Sequence, residues 1–203
     1  VREVASGNAG YGIGAADILI ARDKALPLMV LASIFKQSAV EFYAKAETEL
    51  NSPADLVRLR VARKINDLPD IELQAMLLSE GIDPALVTPF PHQPGLDHLA
   101  DGRADVLPGY RTAFPYEAKQ FGMPLKTLRP LNYGIDFYGD SLFTHKRSIK
   151  SDPDAVARFL RASIKGWEYA LEHPDEIAGR ISRELPRTAA IAGGDILGFN
   201  RFQ

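Results

Sequence analysis

The sequence predicts an α/β fold in which helices cover both faces of a mostly parallel sheet. Strand-like and helix-like segments alternate along the 203 residues, with short connections between them. The continuous apolar run Leu28–Phe35 has the length and the flanks of a strand buried in a parallel sheet. The segment Asp152–Glu172 carries apolar side chains at helical spacing after a capping aspartate and a proline. Ligands of such sheets bind beyond the carboxyl ends of the strands, so the loops at those ends are the first candidates for a site.

The other elements follow from the same patterns. Short apolar runs bounded by turn or charged residues predict strands, and capping residues followed by periodic apolar positions predict helices. Further strands are predicted at Tyr11–Gly14, Arg60–Arg63, Ala85–Phe90 and Ala104–Leu107. Further helices are predicted at Asp17–Lys24, Asp70–Glu80, Gly95–Asp101 and Phe114–Phe121, and in segments that start at Ser52 and at Pro174.

Composition excludes several classes of function. Apolar residues make up 46% of the chain, enough to bury a core, and the net charge of −2 comes from interspersed acids and bases. That balance gives no sign of a nucleic-acid partner. No apolar run approaches the roughly 20 residues that a membrane-spanning helix needs. The absence of cysteine excludes disulfides, thiolate nucleophiles and cysteine-based zinc sites.

A glycine-rich turn near the start of the chain is the first candidate binding feature. The run Gly10–Ala15 matches a relaxed dinucleotide pattern, but no acidic residue follows about 20 residues later at a strand end, so no nucleotide cofactor is predicted. A glycine turn that enters a helix directs backbone N–H groups at whatever lies above it. Gly12, Gly14 and Ala15 therefore predict a floor for an anionic or polar ligand group, with an ordinary tight turn as the alternative.

The residues of a catalytic or metal site are not evident. The four histidines, His92, His98, His145 and His173, show no metal-ligand spacing on a helix face. The chain has no Gly-x-Ser-x-Gly elbow, no HExxH and no P-loop, and no carboxylate pair stands out. The sequence predicts no catalytic residues, no metal and no cofactor.

Two polar and aromatic clusters favour small-molecule binding. The segment Asn132–Thr144 concentrates aromatic rings, acids and glycines, and Tyr110–Tyr116 is a second such segment at a strand-to-helix loop. Aromatic faces with a few placed polar groups are typical of a small-molecule pocket. The alternative for the first segment is a strand pair whose aromatic rings belong to the core.

Several phrases together resemble the NMT1/THI5-like family of type II periplasmic binding proteins over nearly the whole chain. The most specific are Tyr133-Gly134-Ile135-Asp136-Phe137-Tyr138-Gly139-Asp140 and Gly166-Trp167-Glu168-Tyr169-Ala170-Leu171-Glu172-His173-Pro174. The supporting phrases are Ser6-Gly7-Asn8-Ala9-Gly10-Tyr11-Gly12-Ile13-Gly14, Phe35-Lys36-Gln37-Ser38, Ser52-Pro53-Ala54-Asp55-Leu56 and Gly102-Arg103-Ala104-Asp105.

The resemblance implies a two-lobed fold that closes on a ligand held between the lobes. Lobe one is expected at residues 1–45 plus 141–203 and lobe two at 46–140, with hinges near 43–46 and 137–143. With the clusters above, the expected ligand-binding residues are Gly12, Gly14, Ala15, Gln37, Ser38, Asn66, Asp67, Tyr110, Thr112, Tyr133, Asp136 and Tyr138.

The chain departs from the family pattern in two places. Compared with the family pattern, the sequence given lacks the strand–helix–strand that normally opens lobe one. We therefore expect an exposed apolar edge beside Tyr11–Gly14 and Leu28–Phe35, through which two copies of the chain associate as a homodimer. Ala113-Phe114 stands where the family often has Asn-Glu, which replaces a polar contact in lobe two by an apolar one.

These features predict an extracytoplasmic or periplasmic small-molecule-binding domain without catalytic activity. The first hypothesis is the sensor part of a signal-transduction receptor, attached to a membrane-anchored histidine kinase or diguanylate cyclase. The alternative is the solute-binding protein of an ABC transporter, working with its permease on a thiamine-precursor pyrimidine or a similar small polar molecule.

Overall fold

The computed structural model describes residues 1–65, 67–93 and 95–184, and the chain divides into two compact units. Unit 1 consists of residues 1–38 and 137–174, and unit 2 consists of residues 39–136 together with the chain from Asp175. The chain therefore passes from one unit to the other at 38–39, at 136–137 and at 174–175. The expected lobes differ from these units at all three passages, since lobe one was expected to continue beyond residue 174. The hinges near 43–46 and 137–143 stay a prediction.

The described residues form short strands and helices that alternate along the chain. The strands are β1 Tyr11–Gly14, β2 Leu28–Ser33, β3 Val40–Lys45, β4 Val61–Arg63, β5 Pro89–Pro91, β6 Leu107–Tyr110, β7 Leu125–Leu128 and β8 Ser141–His145. The α-helices are α1 Arg2–Ser6, α2 Asp17–Asp23, α3 Leu68–Ser79, α4 Asp97–Ala100, α5 Phe114–Gln120, α6 Lys146–Ser151, α7 Pro153–Glu172 and α8 Pro174–Glu184. Short 3₁₀ helices lie at Pro53–Arg58, Pro84–Leu86 and Pro130–Tyr133.

Unit 1 contains a three-stranded sheet with the order β1-β8-β2. Strand β8 lies in the middle and pairs antiparallel with both neighbours, so Tyr11 faces Thr144 and Leu28 faces His145. The Thr144 hydroxyl donates a hydrogen bond to the Gly10 carbonyl at 2.7 Å, which fixes the start of β1. The core beside this sheet is formed by Val4, Ile18, Ala21, Leu28 and Phe143.

Unit 2 also places one reversed strand between strands of a common direction. Strand β3 pairs antiparallel with β6 on one side and with β7 on the other. Strand β4 pairs parallel with β5 and reaches β6 through a parallel bridge between Val61 and Val106. Side chains alternate across β3, so Phe42 and Ala44 belong to one buried cluster while Tyr43 belongs to another.

The prediction of mostly parallel sheets is wrong for the pairing of neighbouring strands. Four of the five ladders between described strands are antiparallel, and only β4 with β5 is parallel. The reason is that β3 and β8, which follow the first two passages between the units, each lie between two strands that run in the opposite direction. Consequently β2 is an antiparallel strand, and Leu28 is its one buried residue.

Local sequence signals place the helices well and the strands less well. Asp152 caps α7, as predicted, because its side chain accepts the backbone N–H of Ala155 at 2.9 Å. The predicted strand Ala85–Phe90 instead begins as a 3₁₀ turn capped by Asp83 and pairs only from Pro89. The predicted strand Ala104–Leu107 lies three residues early, although its residues do bond to Arg60 and to Ala62 of β4.

We expect Gly12→Ala to lower the free energy of unfolding by about 1–3 kcal/mol, because an added methyl overpacks a core that cannot yield. A Cβ at Gly12 would lie 2.6 Å from the Phe143 ring, which is fully buried. The matched control is Gly10→Ala, where a Cβ meets nothing within 4 Å. Urea denaturation of both variants measures the difference, and equal midpoints would show that Gly12 is not required for packing.

Candidate functional site

The polar residues of unit 2 gather where its strands end. Strands β6 and β7 both run against β3, and β4 runs with β6, so the carboxyl ends of β4, β6 and β7 share an edge with the amino end of β3. Tyr110 ends β6, Arg129 follows β7, and Glu41 stands second in β3. In α/β sheets this edge is the usual place of a ligand.

Glu41 is a buried carboxylate held by two partners at this edge. It is 8% exposed, and its Oε2 accepts a hydrogen bond from the Tyr43 hydroxyl at 2.9 Å. Its Oε1 forms an ion pair with the Nε of Arg129 at 2.8 Å. A buried charge needs such compensation, because desolvation of an unpaired carboxylate is very costly.

Tyr43 is a permanent hydrogen-bond donor in this cluster. Burial raises the pKa of its hydroxyl far above the ordinary value, and the negative charge of Glu41 raises it further. Arg129 and Arg111 oppose that shift in the Tyr43 pKa, so both cations act electrostatically on the same buried group. The edge therefore combines one buried anion with two cations.

The expected residues of the loop after β6 lie at this edge. Tyr110 is 46% exposed, and Thr112 lies two residues further on in a half-buried turn. The Arg111 backbone N–H donates to the carbonyl of Ala39 at 2.9 Å, which ties the loop to the start of β3. Sequence analysis included Arg111 only as part of the segment Tyr110–Tyr116, and it missed Glu41 and Arg129. The available signal for Glu41 was a charged residue inside the apolar run Val40–Ala44.

The loop after β4 is organised by a buried ion pair. Arg63 and Asp70 are 8% and 0% exposed in their side chains, and their Nε and Oδ1 atoms lie 2.7 Å apart. The Asp67 side chain accepts the backbone N–H of Asp70 at 3.1 Å and so caps α3. Asp67 thus has a structural task beside any contact with a ligand. Asn66, also expected at the site, lies outside the described residues.

The glycine turn of unit 1 is partly closed by its own chain. The backbone N–H of Ala15 donates to the Asp17 Oδ1 at 2.9 Å, so this amide is occupied and does not point freely at a ligand. Gly14 precedes it at the end of β1, and a Cβ at Gly14 would meet Asp17 and Ile18 at 3.3 Å. The alternative of an ordinary tight turn accounts for these contacts.

The segments around Gln37 and Tyr138 pack against each other within unit 1. The Ser38 N–H donates to the Phe137 carbonyl at 2.7 Å, and the Gly139 N–H donates to the Phe35 carbonyl at 3.0 Å. A Cβ at Gly139 would lie 2.8 Å from the Gln37 carbonyl oxygen, so the close approach requires glycine. Tyr138 is 63% exposed beside them.

Tyr133 and Asp136 belong to unit 2, and Tyr133 is in part a core residue. Its ring packs against the buried cluster that contains Phe42, and its carbonyl accepts the Ser79 hydroxyl at 3.2 Å. Asp136 is exposed at the end of the unit. For Tyr133 the alternative of a core aromatic therefore describes the packing, while its contact with a ligand stays a prediction.

Unit 1 also carries an apolar groove of about 750 Å³ between its sheet and α7. Tyr11 stacks on Phe159 of α7 with ring centroids 3.7 Å apart, and Phe35 meets Trp167 edge-on at 5.7 Å. Exposed apolar side chains border the groove, among them Ile13 at 59% and Leu171 at 76%. Such a surface suits packing against another apolar surface more than recognition of a polar ligand.

The described residues contain neither a cluster of metal ligands nor a membrane-spanning helix. Within residues 1–65, 67–93 and 95–184, no group of three or more histidine, aspartate or glutamate side chains is placed to hold a metal ion. None of the helices in that same part of the chain has the length and apolarity to cross a membrane.

Comparison with known proteins gives a family and a fold. A family model described as NMT1/THI5 like matches residues 1–177. The formylaminopyrimidine-binding protein of Halalkalibacterium halodurans is 29% identical over 173 residues, covering 79% of this chain and 49% of the relative. The riboflavin-binding protein RibY of Chloroflexus aurantiacus is 24% identical over 164 residues, covering 78% of this chain and 46% of the relative. The chain thus spans about half the length of these curated relatives.

A solved structure confirms the predicted fold. The periplasmic aliphatic sulphonate binding protein SsuA from Escherichia coli superimposes with a TM-score of 0.77 at 12% identity, covering 98% of this chain and 67% of that one. At that identity the likeness shows the fold alone, which is the periplasmic-binding-protein fold.

We expect the free energy of unfolding to fall as the pH drops below about 6.5, with His92 contributing to that loss. Burial lowers the pKa of His92, with Lys64 and His98 acting in the same direction and Asp67 opposing them. The neutral imidazole is therefore favoured in the fold, and its protonation costs stability below the pKa of the unfolded chain.

The measurement compares urea midpoints of the wild type and of His92→Gln at about pH 7.5 and about pH 5.5. The variant should lose less stability between the two, and His92 should titrate below its ordinary value by NMR. An equal loss in both proteins would show that His92 does not contribute.

Proposed function

Because the chain belongs to the NMT1/THI5-like family, we propose that it is a ligand-binding part of an extracytoplasmic solute receptor for a small polar molecule. The observation that carries the proposal is the match to two relatives named for the small molecules they bind, each over nearly four-fifths of this chain. The polar strand-end edge of unit 2, with Tyr110 and Arg129 beside the buried Glu41, supports it as a place for ligand contacts.

Binding rather than catalysis fits both the relatives and the residues. The relatives are named as binding proteins, in agreement with the prediction of a chain without catalytic activity. The carboxylates found near the edge are engaged in structure: Glu41 with Tyr43, and Asp70 with Arg63. A catalytic group has to be free to exchange a proton or to attack, and these are not.

A heterocyclic ligand is the class that the family comparison favours. One relative is named for formylaminopyrimidine and the other for riboflavin, both nitrogen heterocycles. The half-exposed ring of Tyr110 offers a face on which a planar heterocycle can stack. A thiamine-precursor pyrimidine of the formylaminopyrimidine kind is accordingly the first ligand to test.

Transport is the context that we favour over sensing. The relatives are named as binding proteins, and the similar structure is a periplasmic sulphonate binding protein. A solute receptor of this kind would bind its ligand outside the cytoplasm and deliver it to an ABC permease in the membrane. The two curated relatives are named as binding proteins and neither is named as a sensor, so we place the sensor hypothesis, with a histidine kinase or diguanylate cyclase partner, second.

The apolar groove of unit 1 supports the further proposal that another polypeptide surface covers it. Ile13 of β1 and Phe35, which follows β2, line the groove and are 59% and 48% exposed, as expected for an uncovered apolar surface beside β1 and β2. A second copy of this chain is the occupant that the sequence analysis proposes, by way of a homodimer. Strand edges and apolar patches of this kind promote association.

Thermal unfolding with candidate ligands tests the binding proposal. The full-length product of the gene is screened against pyrimidines, riboflavin, amino acids and sulfonates. A ligand at a hundred times its dissociation constant should stabilise the folded protein by about 2.7 kcal/mol. If no compound in these classes raises the midpoint, the proposed binding function is wrong.

Light scattering tests the proposal of self-association. If a second copy covers the groove, Ile13→Lys should shift the protein to the monomer, because a buried lysine would lose its hydration. Leu78→Lys is the matched control, since Leu78 is 62% exposed, belongs to unit 2 and is not among the residues that line the groove. A wild-type protein that is monomeric at high concentration would contradict the homodimer.

A further inference from the structure

The helix α7 carries an apolar stripe that borders the groove of unit 1. Its members follow one another at spacings of four, three and four residues, and they are Leu160, Ile164, Trp167 and Leu171. The last three are between 41% and 76% exposed. Alternation of four and three residues is the pattern by which one helix packs along another, so this stripe suits a second helix.

Charged residues follow the stripe along one flank of α7 and change sign midway. Arg161 and Lys165 come first, and Glu168 and Glu172 follow. At 3.6 residues per turn these four exposed residues fall within about 60° of each other around the helix. In the part of the chain that the structure describes, no ion pair involves any of them. The flank therefore presents a positive half followed by a negative half.

The order of these charges works against the helix within one chain. Cations stabilise a helix near its carboxyl end, and a glutamate pairs better with a lysine that follows it than with one that precedes it. In α7 both glutamates follow the cations, Glu172 is the last helical residue, and the last turn contains no basic residue. The stability of a single α7 therefore does not explain the charge order.

Two antiparallel copies of α7 do explain the charge order. A two-fold axis between residues 165 and 166 places Leu160 beside Leu171 of the second copy, and Ile164 beside Trp167 of the second copy. Because a two-fold interface brings the same surface of both copies together, the basic half of each flank then meets the acidic half of the other. Parallel helices would instead place like charges at the same height.

We propose that α7 is the dimerisation helix of this chain and packs antiparallel against α7 of a second copy, with the apolar stripes in contact and the charged flanks paired. The second helix then covers the open side of the groove, which Ile164, Trp167 and Leu171 border. This inference rests on the proposed homodimer and adds the element that each copy contributes to it.

Charge reversal in the full-length gene product tests the pairing of the flanks. An acidic variant carries Arg161→Glu with Lys165→Glu, and a basic variant carries Glu168→Lys with Glu172→Lys. Each variant has one sign of charge along the whole flank, so the dissociation constant of its dimer should rise roughly tenfold or more in sedimentation equilibrium. An equimolar mixture should recover a dimer, because the acidic flank of one variant then meets the basic flank of the other.

The matched control carries Lys146→Glu with Lys150→Glu on α6. Both lysines are exposed in unit 1, and neither lines the groove. The control changes the net charge by the same amount as the acidic variant, so a general effect of charge would weaken its dimer equally. Its dissociation constant should stay that of the wild type. Circular dichroism of each variant checks that the fold is kept.

Cross-linking tests the direction of the helices by a second measurement. The 203 residues contain no cysteine, so an introduced pair is the reactive pair in this part of the gene product. Arg161→Cys protein mixed with Glu168→Cys protein should form a mixed disulfide dimer under oxidising conditions. Arg161→Cys protein alone should not link to itself, because residue 161 and its copy lie about 13 Å apart along antiparallel helices.

Three results would overturn the inference. A wild type that is monomeric at high concentration would remove both the homodimer and the role of α7. A wild-type dimer that the two charge variants weaken no more than the control does would leave the homodimer standing and remove α7 from its interface. Self-linking of the Arg161→Cys protein, or charge variants that stay monomeric when mixed, would exclude the antiparallel arrangement.

Discussion

In each unit, one strand runs against its neighbours, and this reversal decides which residues can meet. Strand β3 lies between β6 and β7, and β8 lies between β1 and β2. Reversal places the amino end of the inserted strand at the same edge as the carboxyl ends of its neighbours. Side chains far apart in sequence, such as Glu41 and Arg129, are adjacent for this reason alone.

Unit 1 has the same strand reversal, but the residues that meet at its edge are uncharged. Ser141 begins β8 opposite Ser33, the last residue of β2, and their hydroxyl oxygens lie 3.2 Å apart. Gly14 faces Ser141 from the other side, at the end of β1. These groups are small and neutral, so the edge of unit 1 offers hydrogen bonds where the edge of unit 2 offers charge.

Burial of charge distinguishes structural from available groups in unit 2. Arg63 and Asp70 are both removed from water and pair with each other, and Gln74 also donates to the Asp70 carboxylate. This pair ties the end of β4 to the start of α3. Glu41 is equally buried, but one of its partners reaches the surface. An ion pair with one buried and one exposed end holds a cation in place without consuming all of its donors. Unit 1 differs, because its largest concave surface is apolar and is formed by one face of α7 against the sheet.

Residues close together in the sequence determined the positions of the helices, the helix caps and the family phrases. The amphipathic helix at Asp152–Glu172, its aspartate cap and the helix start at Ser52 depend on residues within a few positions of each other, so pattern alone located them. The family phrases located the fold in the same way, because they are contiguous. The turn residues Tyr110 and Thr112 could likewise be selected from a single loop.

Only the tertiary structure decided the strand directions and the charged edge. The antiparallel ladders join residues 64 to 133 positions apart in the sequence. Nothing in a run such as Val40–Ala44 states which strands will lie beside it or in which direction they will run. A single glutamate in that run looks like an interruption of the apolar pattern until Arg129 is brought beside it. Because desolvation and pairing of a charge depend on neighbours in space, the role of Glu41 could not be derived from its neighbours in sequence.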